Sequence, residues 1–223
     1  MATYPAPISP RARGDRLDAC RRMFALLQSM NLANAQQAPT PNGLSAGPGE
    51  TMWVTTTQRL KTKVYANASL STQPLLIVVL HGDSPDRPPT YQYRFAETAA
   101  ASIKDAVAAA VLRPGYSDGE DRSDGMRGET TGDNYTPEAI NAVATAISEL
   151  KARYHPRRVI LVGHSGGSAI MANLLGQQAS TADAALLMSC PLRSRRMAQA
   201  HAVRKGRCDL GTAGAFAVAA VGD

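Results

Sequence analysis

The sequence predicts an α/β domain with a mainly parallel sheet and helices on both of its faces. Two apolar runs, 75–80 (LLIVVL) and 159–162 (VILV), show no polar alternation, as expected of strands buried on both sides. Between and after them lie segments with apolar residues three and four apart, the spacing of helices that return the chain to start another parallel strand. At 44% hydrophobic and 19% charged, with 18 Gly and 14 Pro, the composition excludes disordered, collagen-like and coiled-coil chains. A length of 223 residues suits one domain with a sizeable core.

Residues 1–50 read as an N-terminal extension and linker, punctuated by Pro5, Pro7, Pro10, Pro39, Pro41 and Pro48. Arg21-Arg22-Met23-Phe24 opens a mildly apolar stretch ending in Ala33-Asn34-Ala35, a small-x-small pattern. Two readings stay open there, a weak twin-arginine export signal and a plain extension. The core is expected over 51–191. Residues 52–66, rich in Thr, Val, Trp and Tyr, read as one or two strands or a hairpin. After the strand at 75–80, residues 91–104 read as helix, with Phe95, Ala99 and Ile103 four apart, and 106–112 as a strand stopped by Arg113-Pro114-Gly115. A polar loop at 115–134 carries five glycines, and so much irregular chain in a compact domain usually shapes a site. Thr136 caps the next helix and Pro137 suits its first position, with Ile140, Val143, Ile147 and Leu150 on one face. Strand 159–162, helix 166–178 and strand 184–188 follow, leaving an atypical basic segment at 192–223.

The formal charge of +6 invites a nucleic-acid partner. Five arginines fall in 11–22 and six basic residues in 192–223, and the rest of the chain is close to neutral, so no nucleic-acid function is expected. Cys20, Cys190 and Cys208 are too few and too scattered for a disulfide framework or a zinc ribbon, and neither metal nor cofactor is implied. The longest strongly apolar run, 75–80, is six residues, far short of the roughly 20 that span a bilayer.

Chemistry concentrates at Gly163-His164-Ser165-Gly166-Gly167, which fits G-x-S-x-G between a buried strand and an immediate helix. That context is a nucleophile elbow: Ser sits on a strained turn, glycines at 163 and 167 keep side chains clear, and the helix N-terminus favours negative charge beside Ser165. A serine that merely caps a helix is the plainer alternative.

With this motif the chain resembles the α/β-hydrolases, and three more segments agree. Leu80-His81-Gly82-Asp83 follows a buried strand where that family has its oxyanion loop; 113–119 (RPGYSDG) looks like the loop after the next strand; 185–191 (ALLMSCP) looks like the strand after the elbow helix. The resemblance covers roughly 52–191. It implies that Ser165 is a catalytic nucleophile toward a carboxylic ester or another small acyl substrate, and that the N–H groups of Gly166 and Asp83 hold the oxyanion. The carboxylate of Asp83 is unwelcome beside an oxyanion unless it points away.

The family places an acid and then a histidine downstream of the serine. Here His201 alone lies downstream, within a stretch that reads as a solvated basic helix; His81 and His164 belong to the motifs and His155 ends a helix. Asp183 precedes its strand, at the wrong edge of the sheet; Asp209 follows His201 against the family order; Asp223 follows an apolar run at 215–222 that reads as a further strand. The expected fold therefore lacks its last strands, through truncation or a changed reading frame near Pro191. A serine hydrolase impaired by a missing acid and histidine is the first reading, and a non-catalytic or truncated protein on the same fold is the second.

Overall fold

A computed structural model describes residues 49–54, 58–127 and 135–190, together with the backbone of 216–220. In chain order the elements are β1 (Glu50–Val54), β2 (Leu60–Ala66), β3 (Leu75–Leu80), α1 (Tyr91–Ser102), β4 (Ala106–Val111), α2 (Pro137–Tyr154), β5 (Arg158–His164), α3 (Gly166–Gln177), a 3-10 turn (Ala179–Thr181), β6 (Ala184–Met188) and β7 (Phe216–Ala220). The expected export signal, most of the basic C-terminal segment and His201 lie outside the described residues.

These strands form one sheet in the order β1-β2-β4-β3-β5-β6-β7. The four central strands run parallel, while β1, β2 and β7 pair antiparallel at the two sides. Connection length decides which is which. Helices α1, α2 and α3 provide the long crossovers that parallel neighbours need, whereas β1 and β2 are joined too closely for anything but a hairpin. The parallel sheet expected from sequence is thus confirmed at the centre, with antiparallel strands added outside it.

All six residues of β3 are buried, and alternate side chains enter two different cores. Leu76, Val78 and Leu80 pack with Ile140, Val143, Ile147 and Leu150 of α2 and Ile170 and Leu174 of α3. Leu75, Ile77 and Val79 pack with Phe95, Ala96 and Ala99 of α1. Each large aliphatic side chain removed from water in this way contributes roughly 1.5–3 kcal/mol before entropy is counted. A charge at Ile147, which is 0% exposed, would leave α2 without its docking face. The start of α2 follows the sequence signal: Thr136 Oγ1 accepts the Ala139 N–H at 3.3 Å and Pro137 opens the first turn. Its end is a left-handed His155 (φ 44°), just before Pro156, whose N–H donates to Lys151 O.

Residues 113–124, after β4, are tied down more closely than their polar composition suggests. Lys61 of β2, 1% exposed at its side chain, reaches Asp118 at 2.8 Å and Asp121 at 2.7 Å, and Tyr93 Oη donates to Asp118 at 2.7 Å. Burial alone would raise the Asp118 pKa, but the N–H of Asp121, Lys61 and Tyr93 together lower it to about 2. Ser123 Oγ accepts the Lys61 N–H and donates to Leu112 O, closing the loop onto β2.

Candidate active site

Strand order reverses at β3, with β4 on one side and β5 on the other, and in open parallel sheets ligands bind beyond the carboxyl ends of strands at such a point. There β3 delivers His81, Gly82 and Asp83, β4 delivers Arg113, and β5 delivers Ser165.

Ser165 has φ 48° and ψ −117°, a conformation that costs a non-glycine residue about 1–3 kcal/mol. Its surroundings hold it there. The Ser165 N–H donates to Met188 O at 2.8 Å, and Ser168 Oγ lies 2.6 Å from Gly163 O and 2.8 Å from Met188 O, tying the turn to β6. A Cβ at Gly163 would meet Ser168 backbone atoms at 2.7 Å, and one at Gly167 would meet His81 O at 2.5 Å. Both glycines of the pentapeptide are therefore needed because backbone passes backbone there. Ser165 itself stays partly exposed.

Gly166 is the first residue of α3, and the first N–H groups of a helix have no acceptor within it. Asp83 lies close by: a Cβ on Gly166 would collide with Asp83 Oδ1 and meet Arg113 Nη1 and Tyr135 Oη at 2.7 Å each. The carboxylate does not point away from Gly166. Instead it is neutralised, with Arg113 Nη1 donating to Oδ1 at 2.8 Å and Tyr135 Oη donating to Oδ2 at 2.6 Å. The ion pair is buried, at 0% and 5% side-chain exposure. Burial first, then the bond to Asp83, raises the Tyr135 pKa, so its hydroxyl keeps its proton.

By sequence Tyr135 is one of four tyrosines, with Tyr91, Tyr93 and Tyr116, that could line a pocket, and Arg113 opens the family-like segment 113–119; neither carries a role there, and the signal for Arg113 is a cation directly after a buried strand.

Both motif histidines are neutral. His81 is fully buried; Nδ1–H donates to Gly82 O at 2.7 Å, and Nε2 accepts the Arg113 N–H at 3.0 Å. Burial, then the Arg113 charge, lowers its pKa to about 3. The Tyr91 hydroxyl accepts the Gly82 N–H at 2.6 Å, so its own proton points to His164 Nδ1, 2.7 Å away. Burial lowers the His164 pKa as well. His155 sits at the opposite end of β5, and Asp183, whose Oδ2 accepts the Val159 N–H at the start of β5, is likewise at the far edge. Among the described residues no cluster of His, Cys, Asp and Glu could hold a metal ion, and no helix is long and apolar enough to cross a membrane.

Residues 77–221 match the family described as alpha/beta hydrolase, and the chain belongs to that family. Among solved structures it is similar to an alpha-beta serine hydrolase homologue from Coxiella burnetii, at 12% identity and TM-score 0.51, over 68% of this chain and 67% of that one. It is also similar to 2-hydroxy-6-oxo-6-phenylhexa-2,4-dienoate hydrolase from Rhodococcus sp. strain RHA1, at 18% identity and TM-score 0.47, over 65% of this chain and 48% of that one. The match thus spans about half the length of the Rhodococcus enzyme. Carboxyl esterase 2 from Tuber melanosporum is similar at 12% identity and TM-score 0.46, over 65% of this chain and 44% of that one. Among curated protein sequences none is similar enough to count as a relative.

Proposed function

We propose that this alpha/beta hydrolase cleaves carboxylic esters through Ser165. The Ser165 oxygen bonds to the acyl carbon and the carbonyl oxygen becomes an oxyanion, facing the N–H groups of Gly166 and Asp83. The alkoxide then leaves with a proton, and water releases the acid from the acyl-enzyme. The observation that carries this reading is the backbone of Ser165, held at φ 48° between β5 and the N-terminus of α3. Strain in a partly exposed serine has no structural use in a simple helix cap, and Ser165 makes no side-chain capping bond. Arg113 supports the reading too, since it offsets the Asp83 carboxylate that would otherwise repel an oxyanion.

A fluorophosphonate probe applied to the whole chain tests the proposal: labelling of Ser165, abolished by Ser165→Ala, is expected. Folded protein that stays unlabelled would favour the second reading, a non-catalytic member. One observation favours that alternative. His81 has both ring nitrogens engaged and His164 has one, so neither stands free as a base of the usual kind. His201 remains the base candidate by chain order, and loss of labelling in a folded His201→Ala variant would assign it.

A further inference from the structure

Two short segments face each other residue by residue. A Cβ on Gly82 would meet Ser165 Cβ at 2.9 Å, and one on Gly166 would collide with Asp83 Oδ1. The chain after β3 thus lies along the elbow with Gly82 opposite Ser165 and Asp83 opposite Gly166. Two amides that share one oxyanion must keep both direction and separation, since a misplacement of about 1 Å can cost about a hundredfold in rate. The Gly166 N–H is set by the first turn of α3. Asp83 lies beyond the end of β3, where the sheet no longer sets the direction of its amide.

Side chains take over that task. The peptide joining Gly82 to Asp83 is trans, so its N–H points opposite to its carbonyl, and that carbonyl accepts from His81 Nδ1–H at 2.7 Å. On the other side of the same N–H, the Asp83 carboxylate is gripped on both oxygens, Oδ1 by Arg113 Nη1 at 2.8 Å and Oδ2 by Tyr135 Oη at 2.6 Å. The last torsion of an aspartate is soft, so one donor would let the carboxylate turn, whereas two fix its plane. The two donors come from separate parts of the chain, just after β4 and just before α2. Burial keeps the Tyr135 hydroxyl protonated, so it stays a donor.

We propose that Tyr135 and Arg113 are positioning residues: by holding the Asp83 carboxylate against Gly166 they aim the Asp83 N–H at the oxyanion it shares with the Gly166 N–H. This rests on the ester-hydrolase reading for its use, while the aiming itself is a property of the resting protein. The oxyanion forms only on attack and is absent from the bound ester, so a mis-aimed amide lowers kcat and spares KM.

Hydrolysis of p-nitrophenyl acetate by the full chain, with Ser165→Ala as the blank, tests it. Tyr135→Phe keeps the ring and loses only the hydroxyl; a fall of about tenfold or more in kcat, with KM changed by less than about twofold, is expected. Arg113→Lys, which keeps a charge opposite Asp83 but alters the donor geometry, is expected to do the same. Tyr93→Phe is the matched control, since it removes another tyrosine hydroxyl that donates to a carboxylate, Asp118 at 2.7 Å, and it should leave kcat unchanged. An unchanged kcat in Tyr135→Phe, a change in KM alone, or an equal fall in Tyr93→Phe would overturn the proposal. Should Arg113→Lys show no cooperative melt, Tyr135→Phe decides alone. Crystals of the unaltered and Tyr135→Phe chains give a readout free of turnover: the 82–83 peptide is expected to turn away from Gly166, and an unmoved peptide would overturn the proposal. Turnover that needs Ser165 but not Tyr135 would sink this inference and leave the hydrolase reading standing. No turnover by the unaltered chain, with the peptide displaced in Tyr135→Phe, would do the reverse.

Discussion

The hydroxyl of Tyr91 bridges Gly82 and His164, accepting from the Gly82 N–H and donating to His164 Nδ1 2.7 Å away. A residue at the start of α1 thereby locks the loop after β3 to the turn after β5, the two segments whose amides are proposed to share an oxyanion.

Tyr91→Phe removes that bridge and strands a buried N–H. A loss of about 1–3 kcal/mol in unfolding free energy is expected, along with at least tenfold slower phosphonate labelling. Chemical denaturation and labelling kinetics read the two effects separately; a fall in stability with unchanged labelling rate would show that the bridge is structural alone.

Ser165→Gly should do the opposite to stability. Glycine adopts φ 48° without the Cβ clash, so the variant is expected to gain about 1 kcal/mol while losing all labelling. Thermal melts of the two proteins side by side check this, and an unchanged or lower midpoint would mean that the turn stores no strain.

Gly167→Ala forces a methyl group to 2.5 Å from His81 O and 2.6 Å from Leu80 O, both backbone atoms that cannot swing aside. A loss above about 3 kcal/mol, or no folded protein at all, is expected. Gly119→Ala is the control. Its nearest neighbour would be 3.7 Å away, so only the strain of φ 95° remains, about 1 kcal/mol.

Stability should fall on acidification in two stages. His81 binds a proton in the unfolded chain near pH 6.5 but in the fold only near 3, so its contribution is complete above pH 6.5 and is lost as pH falls through that window. The slope approaches about 1.4 kcal/mol per pH unit. Asp118, lowered from 3.8 to about 2, adds a further loss below about pH 4. Urea denaturation between pH 7 and 4 should show the first stage, and a His81→Gln variant should flatten it; the same slope in that variant would assign the effect elsewhere.

Lys61→Met leaves Asp118 charged and buried without its partner, and a cost of about 3–5 kcal/mol is expected, read by urea denaturation at pH 7. Limited proteolysis should then cut within 115–125, the loop that Lys61 holds. Resistance there would show that Tyr93 and the backbone bonds suffice.

Local sequence carries a good deal of this protein. Apolar runs without alternation mark β3 and β5; Thr136 and Pro137 mark the first turn of α2; G-x-S-x-G marks the bend at Ser165, because only glycine fits where backbone crosses backbone. What escaped was whatever depends on partners far along the chain. Lys61 meets Asp118 across 57 residues, and neither residue type announces a buried pair, since charged side chains are buried only when a specific partner is delivered.

The sequence by itself determined the order of the central elements and the residue on which the proposed chemistry turns, since periodicity and steric demand act between neighbours in the chain. The tertiary structure alone decided that Asp83 faces Gly166 with its charge offset, that His81 is a buried neutral ring, and that Arg113 is fully buried against Asp83. Each of these is fixed by distances between strand ends that meet only when β3, β4 and β5 lie side by side, and by the loss of water there, which turns an ordinary loop arginine into half of a buried ion pair.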